Sequence, residues 1–153
     1  MRICQATRVD LKTVIPWIKD EKACRLWAGP EVRFPLLTDR LKADIGFDHY
    51  ATYVFRDDRD EIVGFGQILL RNNRLHLARI LVSPSQRGKG YGKNLCEHLM
   101  EEGQKKYGKK DFSLNVYKFN TIAHNLYINL GFIIFADQSM AVDSDSMYMI
   151  KRT

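Results

Sequence analysis

The run Gln86-Arg87-Gly88-Lys89-Gly90-Tyr91-Gly92-Lys93 constrains the fold more than any other part of the chain. It follows the β-branched, apolar stretch Ile80-Leu81-Val82 and the pair Ser83-Pro84, and it leads into an amphipathic segment from Leu95 to Tyr107. The order is strand, glycine-rich turn, helix. Glycine has no Cβ, so several main-chain N–H groups can converge on one point. The start of the following helix adds unpaired donors and the positive end of its dipole. Such a turn suits an anion, a phosphate or pyrophosphate above all. A Walker loop does not fit, because Lys93 and Asn94 stand where Gly-Lys is required. The dinucleotide fingerprint fails because its third glycine falls one place early, at Gly92. Arg-x-x-Gly-x-Gly, over Arg87, Gly90 and Gly92, does fit. The plain alternative is a turn that only joins a strand to a helix.

A second segment runs Asn120-Thr121-Ile122-Ala123-His124-Asn125-Leu126-Tyr127-Ile128-Asn129-Leu130-Gly131-Phe132. Asn120 or Thr121 can cap a helix, and Ala123, Leu126, Tyr127 and Leu130 recur at helical spacing. Gly131 is placed to end that helix as a left-handed cap, and Phe132 to open a strand. By itself the pattern also describes a helix buried by its Leu/Tyr stripe.

Together the two segments resemble the GNAT superfamily of acyl-CoA N-acyltransferases. The first is similar to the family's pyrophosphate loop. The second is similar to its Asn-x-x-Ala-x-x-Leu-Tyr-x-x-Leu-Gly-Phe segment. They stand in the family's order, with one helix and one strand between them, and the resemblance covers nearly the whole chain. It implies an α/β (α+β) fold: one mixed, mostly antiparallel sheet of about six to seven strands, splayed between the fourth and fifth, with helices on both faces.

The rest of the chain agrees with that architecture. Strands are expected over Arg2 to Thr7, Tyr50 to Arg56, Glu61 to Leu70, Leu75 to Val82, Phe112 to Tyr117, Phe132 to Phe135 and Ser146 to Lys151. Asp10 is expected to cap a first helix that Pro16 kinks or divides. Glu21 to Trp27 reads as a second helix, stopped by Gly29-Pro30, and Thr38 as the cap of a third over Asp39 to Ile45. No repeat or linker interrupts residues 1–153, which are expected to form a single domain.

Composition excludes several classes. No stretch approaches the roughly 20 apolar residues that span a bilayer, and Met1-Arg2-Ile3-Cys4-Gln5 lacks a signal peptide's apolar core. Cys4, Cys24 and Cys96 are odd in number and widely spaced, which suggests reduced thiols, no metal and a cytoplasmic location. The net charge of +6 suits a polyphosphate ligand such as coenzyme A. The cluster Lys105, Lys106, Lys109 and Lys110 has little aromatic interleaving and belongs to no recognised module, so nucleic acid is not the expected partner. A monomer or a homodimer is expected.

The resemblance also implies chemistry. Acetyl-CoA would lie in the splay, its pantetheine arm pairing with the main chain at Ile80, Leu81 and Val82 like an added strand. The amides from Gly88 through Lys93, Tyr91 included, would hold the pyrophosphate, with Arg87 and Lys89 as candidate counter-charges. Asn120 matches a coenzyme-contacting position and is equally a helix cap. Tyr127 matches the family's tyrosine near the thioester sulfur. A phenol suits the general-acid role, because its ordinary pKa lies within about two units of a thiol's. The alternative is a core tyrosine on an apolar stripe.

The general base is the departure. Several members carry a glutamate on the fourth or fifth strand, and the ribosomal-protein N-terminal acetyltransferases carry it on the fifth. Within Ser113-Leu114-Asn115-Val116 the place falls to Asn115, which cannot take a proton. The fourth strand offers His76 and Arg79 but no carboxylate. His76 as base, a water relay, or an amine that arrives neutral all stay open. Leu26-Trp27-Ala28-Gly29-Pro30 and Phe34-Pro35-Leu36 resemble a Trp-x-Gly-Pro segment of some bacterial members. Trp27 and Phe34 are candidate walls of an acceptor pocket or plain packing residues, and Glu31 and Asp137 are candidate partners for a cationic amine. The expected function is acetyl transfer from acetyl-CoA to a primary amine of a small molecule or peptide. The alternative is a sensor or scaffold of the same fold that binds acyl-CoA without turnover.

Overall fold

The hairpin at the centre of the sheet follows directly from its residues. Strands β3 (Ile62–Arg71) and β4 (Arg74–Val82) are rich in Ile, Val and Leu. Asn72 and Asn73, both left-handed at φ 51° and 57°, turn one into the other. Asparagine tolerates that region, and two such residues in succession match the twist of a tight hairpin. The computed structural model describes residues 1–153. Around the hairpin stand β1 (Arg2–Gln5), β2 (Ala51–Arg56), β5 (Phe112–Tyr117), β6 (Ile133–Ile134) and β7 (Ser146–Lys151). The sheet has 7 strands in the order β1-β2-β3-β4-β5-β7-β6.

Every neighbouring pair is antiparallel except β4 and β5. That pair is parallel because the chain crosses from one strand to the other through helix α4 (Tyr91–Tyr107). Their ladder joins Leu75, His76 and Leu77 to Phe112, Ser113 and Leu114 and then stops. Beyond Leu77 the strands part, which is the splay expected between the fourth and fifth strands.

Two cores flank the sheet. On one face α4 and α5 (Thr121–Asn129) bury Leu95, Leu99, Tyr127 and Leu130 against Ile68, Leu77 and Leu114. On the other, α1 (Arg8–Val14), α2 (Glu21–Ala28) and α3 (Thr38–Asp44) bury Leu11, Cys24 and Leu41 against Val54 and Phe65. Burying a side chain of this size is worth about 1.5–3 kcal/mol, so both faces of the sheet are held by apolar packing. Cys4, Cys24 and Cys96 are free thiols, and burial pushes Cys96 up to about 12. No helix is long and apolar enough to cross a membrane.

Several boundaries differ from the sequence reading. Thr7, not Asp10, caps α1; Asp10 sits one turn in and accepts the Thr7 N–H at 2.8 Å while pairing with Arg56 at 3.1 Å. Leu37 precedes α3, so Thr38 is its first residue rather than its cap. Pro16 divides the first helical segment by setting a 3-10 turn over Ile15–Trp17. α4 begins at Tyr91, earlier than its apolar stripe suggests, because left-handed Gly90 serves as its N-cap. β6 is only Ile133–Ile134, a short edge strand.

Candidate active site

The parting of β4 and β5 opens a cavity of about 1020 Å³. Its residues come from α2, β4, the glycine turn, the first turn of α4, β5 and α5. From Ala78 onward the β4 edge facing β5 has no ladder partner, so main-chain groups at Ile80, Leu81 and Val82 border open space. One end of the cavity is the glycine turn. The other is the point where the strands meet, at His76, Arg79 and Asn115.

Gly88 and Gly90 have φ of 79° and 82°. A Cβ at either would meet no protein atom within 4 Å. Glycine is favoured there by backbone conformation, not by protein crowding. None of the main-chain amides from Arg87 through Lys93 donates to another main-chain group. A row of free donors at the start of a helix of 17 residues is a site for an anion. Gly92 serves close approach, since a Cβ there would lie 3.2 Å from Leu126 of α5. Arg87 and Lys93 line the cavity. Lys89 does not; its Nζ donates to Gln86 Oε1 at 3.1 Å. A long ligand with a pyrophosphate at one end fits this arrangement.

Asn120 lines the cavity, and its side chain caps α5 by accepting the Ala123 N–H at 3.3 Å. Tyr127 is 8% exposed and packs edge-on to Phe132, yet it also lines the cavity. Burial, and then the nearby Cys96, hold its phenol well above the ordinary value, so it stays protonated.

The junction of the strands is built on a bulge in β4. Phe65 pairs with Leu81, but Gln67 pairs with Ala78, so an extra residue is accommodated. Arg79 takes it up with φ 52°, a conformation that costs a non-glycine residue of order 1 kcal/mol or more. Simple alternation would put Arg79 on the α4 face with Leu75 and Leu77. The bulge turns it instead to Gln67, whose Oε1 accepts from Nη1 at 2.7 Å. Buried Gln67 in turn donates to Ile45 O at 3.0 Å and Thr52 Oγ1 at 2.9 Å. Trp27 secures the bulge from α2: its indole N–H donates to Arg79 O at 2.8 Å, and its ring packs edge-on to Phe65.

His76 lies beside this bulge, 3% exposed. Its Nδ1 is 2.9 Å from Ser113 Oγ, its Nε2 3.5 Å from Arg71 Nη1, and its ring stacks on Tyr148. Burial, then Arg71 and Arg79, lower its pKa to about 3, so the ring is neutral. Asn115 lines the cavity, and its Oδ1 is buried without a partner, as is Arg79 Nε.

Phe34 is not brought to the cavity. It packs against the core of α1, α2 and α3, as its apolar neighbours require. Glu31 lines the cavity, but Asp137 does not; it is turned onto the Ser139 N–H at 2.9 Å. Arg71 was missed at the sequence level. It lies on the hairpin beside two asparagines and reads there as a turn charge; only the sheet register sets it near His76.

Comparison with known proteins agrees with this geometry. Residues 14–132 match the model of the acetyltransferase (GNAT) family. A spermidine N-acetyltransferase from Vibrio cholerae, solved with CoA and spermine, is 17% identical, superposes with a TM-score of 0.75, and is matched over 97% of this chain and 93% of its own. The PaiA N-acetyltransferase from Thermoplasma acidophilum, solved with coenzyme A, is 17% identical with a TM-score of 0.71 over 99% and 98% of the two chains. The ribosomal-protein-S18-alanine N-acetyltransferase from Escherichia coli is 20% identical with a TM-score of 0.69 over 98% and 92%. A splayed parallel pair, a ring of free loop amides and a family match over most of the length converge on one conclusion. The chain belongs to the GNAT family and is an acetyl-CoA-dependent N-acyltransferase.

Proposed function

We propose that the protein transfers an acetyl group from acetyl-CoA to a primary amine of a small molecule or peptide by direct attack, with Tyr127 as general acid. The observation that carries this is the Tyr127 phenol: buried in the helical core, held protonated, and facing the cavity beyond the parting of the strands. The free amides of Arg87 through Lys93 anchor the pyrophosphate, and the open edge of β4 at Ile80, Leu81 and Val82 takes the pantetheine arm as an added strand. The amine nitrogen attacks the thioester carbonyl carbon, and the carbon–sulfur bond breaks. The leaving sulfur takes the Tyr127 proton, and the proton shed by the amine restores the phenol through solvent.

No proton is assigned to His76. A ring with a pKa of about 3, bonded at Nδ1 to Ser113 and near Arg71 at Nε2, is a poor base at neutral pH. Asn115 takes none either. The amine therefore arrives neutral or sheds its proton to water. Tyr127→Phe is expected to lower kcat about 100-fold with acetyl-CoA binding within about threefold, because general acids contribute roughly that much. Unchanged kcat in this variant removes Tyr127 from the chemistry.

The lack of a carboxylate at Asn115 and His76 favours one other reading, an acyl-CoA-binding sensor or scaffold. It is distinguished by thiol release: saturable acetyl-CoA binding with no amine-dependent release, across a broad panel of amines, supports the sensor.

A further inference from the structure

The charge balance of the cavity says what sort of amine it accepts. Some arginines elsewhere are matched with aspartates: Arg8 with Asp39 at 2.8 Å, Arg33 with Asp44 at 2.7 Å, Arg56 with Asp10 at 3.1 Å. Arg71 and Arg79, which line the cavity where the strands meet, have no acidic partner. Arg79 is met only by the neutral Gln67 amide, and Arg71 only by His76 at 3.5 Å. Arg79 is also turned to this face at the expense of a left-handed backbone, and its Nε is buried without a partner.

An unpaired guanidinium held partly out of water is destabilising, and it is retained in a cleft most economically when a ligand supplies the missing anion. The carboxylates that line the cavity, Asp20 and Glu31, are both exposed, and Asp20 is engaged as the cap of α2, accepting the Ala23 N–H at 2.7 Å. Exposed Lys19 offsets one of the two. The inner end of the cleft is therefore cationic, with the Asn115 Oδ1 acceptor beside it.

Building on the acetyl-transfer reading, we infer that the acceptor is a small amine bearing an anionic group, a carboxylate or a phosphate, which the Arg71 and Arg79 side chains hold while its amino group is presented to the thioester. A polycation such as spermidine is disfavoured at this end. A guanidinium pair gives geometry as well as charge, since its donors match two oxygens of one anion.

The test measures thiol release from acetyl-CoA with four probes: β-alanine, aminoethylphosphonate, propylamine and spermidine. At least one anionic amine is expected to exceed propylamine in kcat/KM by about 10-fold or more, mostly through KM. The carboxylate and phosphonate arms separate the two anions. Arg71→Gln and Arg79→Gln are each expected to reduce that preference at least about 10-fold, raising KM for the anionic probe more than they lower kcat. Arg71→Gln carries the test should loss of Arg79 unfold the bulge. Coenzyme A binding is read separately by calorimetry on the wild-type protein. Turnover that favours spermidine or propylamine, or an anionic preference that survives both variants, overturns the inference while leaving acetyl transfer intact. Failure of coenzyme A to bind overturns both.

Discussion

Tyr127 and His76 are both buried titratable groups, and burial acts on them in opposite ways. It raises the phenol and lowers the imidazole, so both are neutral at pH 7. For Tyr127 the consequence is kinetic. A phenol held above its ordinary value remains protonated through mildly alkaline pH, so the pH profile of kcat is expected to show no descending limb from this group below pH of about 10. A limb that vanishes in Tyr127→Phe contradicts this. For His76 the consequence is thermodynamic. The unfolded chain binds a proton near 6.5 that the folded ring refuses until about 3. Stability therefore falls as pH drops through that window, by up to about 1.4 kcal/mol per pH unit from this group. His76→Asn is expected to be less stable at pH 7, having lost the bond to Ser113, and to show a shallower loss between pH 6 and about 4 in denaturant titrations. An equally steep loss assigns the acid sensitivity elsewhere. Tyr127 and Asn120 were legible as candidates because a local motif carries them. The setting of Arg79 was not, because strand alternation puts it on the opposite face and nothing in Leu77-Ala78-Arg79-Ile80 announces a bulge.

Two elements hold the cleft in shape, the glycine turn and the β4 bulge. In the turn, Gly90→Asp introduces a Cβ at φ 82° and an anion beside the free amides. The backbone strain costs about 1–2 kcal/mol. The charge is expected to weaken coenzyme A binding at least about 10-fold, and calorimetry on folded variant protein checks it. In the bulge, Trp27→Phe keeps the ring but removes the donor to Arg79 O. A loss of about 1–2 kcal/mol in unfolding free energy is expected, with a higher KM for the amine. A change within about 0.3 kcal/mol denies the indole its part in securing the bulge. The turn was readable from Gly88, Gly90 and Gly92. Trp27 both lines the cavity and holds the strand behind it, so the structure does not choose between the two readings left open for it. Phe34, placed beside it by sequence proximity, packs elsewhere because cleft lining depends on which face of the helical region meets β4.

At the scale of the molecule, one sheet carries an apolar core on each face and parts at a single pair of strands. The element order made the mixed sheet and its crossover legible. The end of the ladder at Leu77 and Leu114 was not, because it depends on how α4 and α5 seat on one face while the bulge redirects β4 on the other. A ligand bound across the parting ties together the parts of β4 and β5 that lie beyond their ladder. Coenzyme A at 100-fold over its Kd is expected to add about 2.7 kcal/mol, a rise in Tm of roughly 5–10 °C. The most direct measurement of the central claim is calorimetric titration of the wild-type protein and of Gly90→Asp with coenzyme A and acetyl-CoA. Saturable binding of both by the wild-type protein, weakened at least about 10-fold in the variant, is the result this structure requires. Binding unchanged in the variant, or no binding by the wild-type protein, contradicts the assignment of the glycine turn and of the cleft it opens.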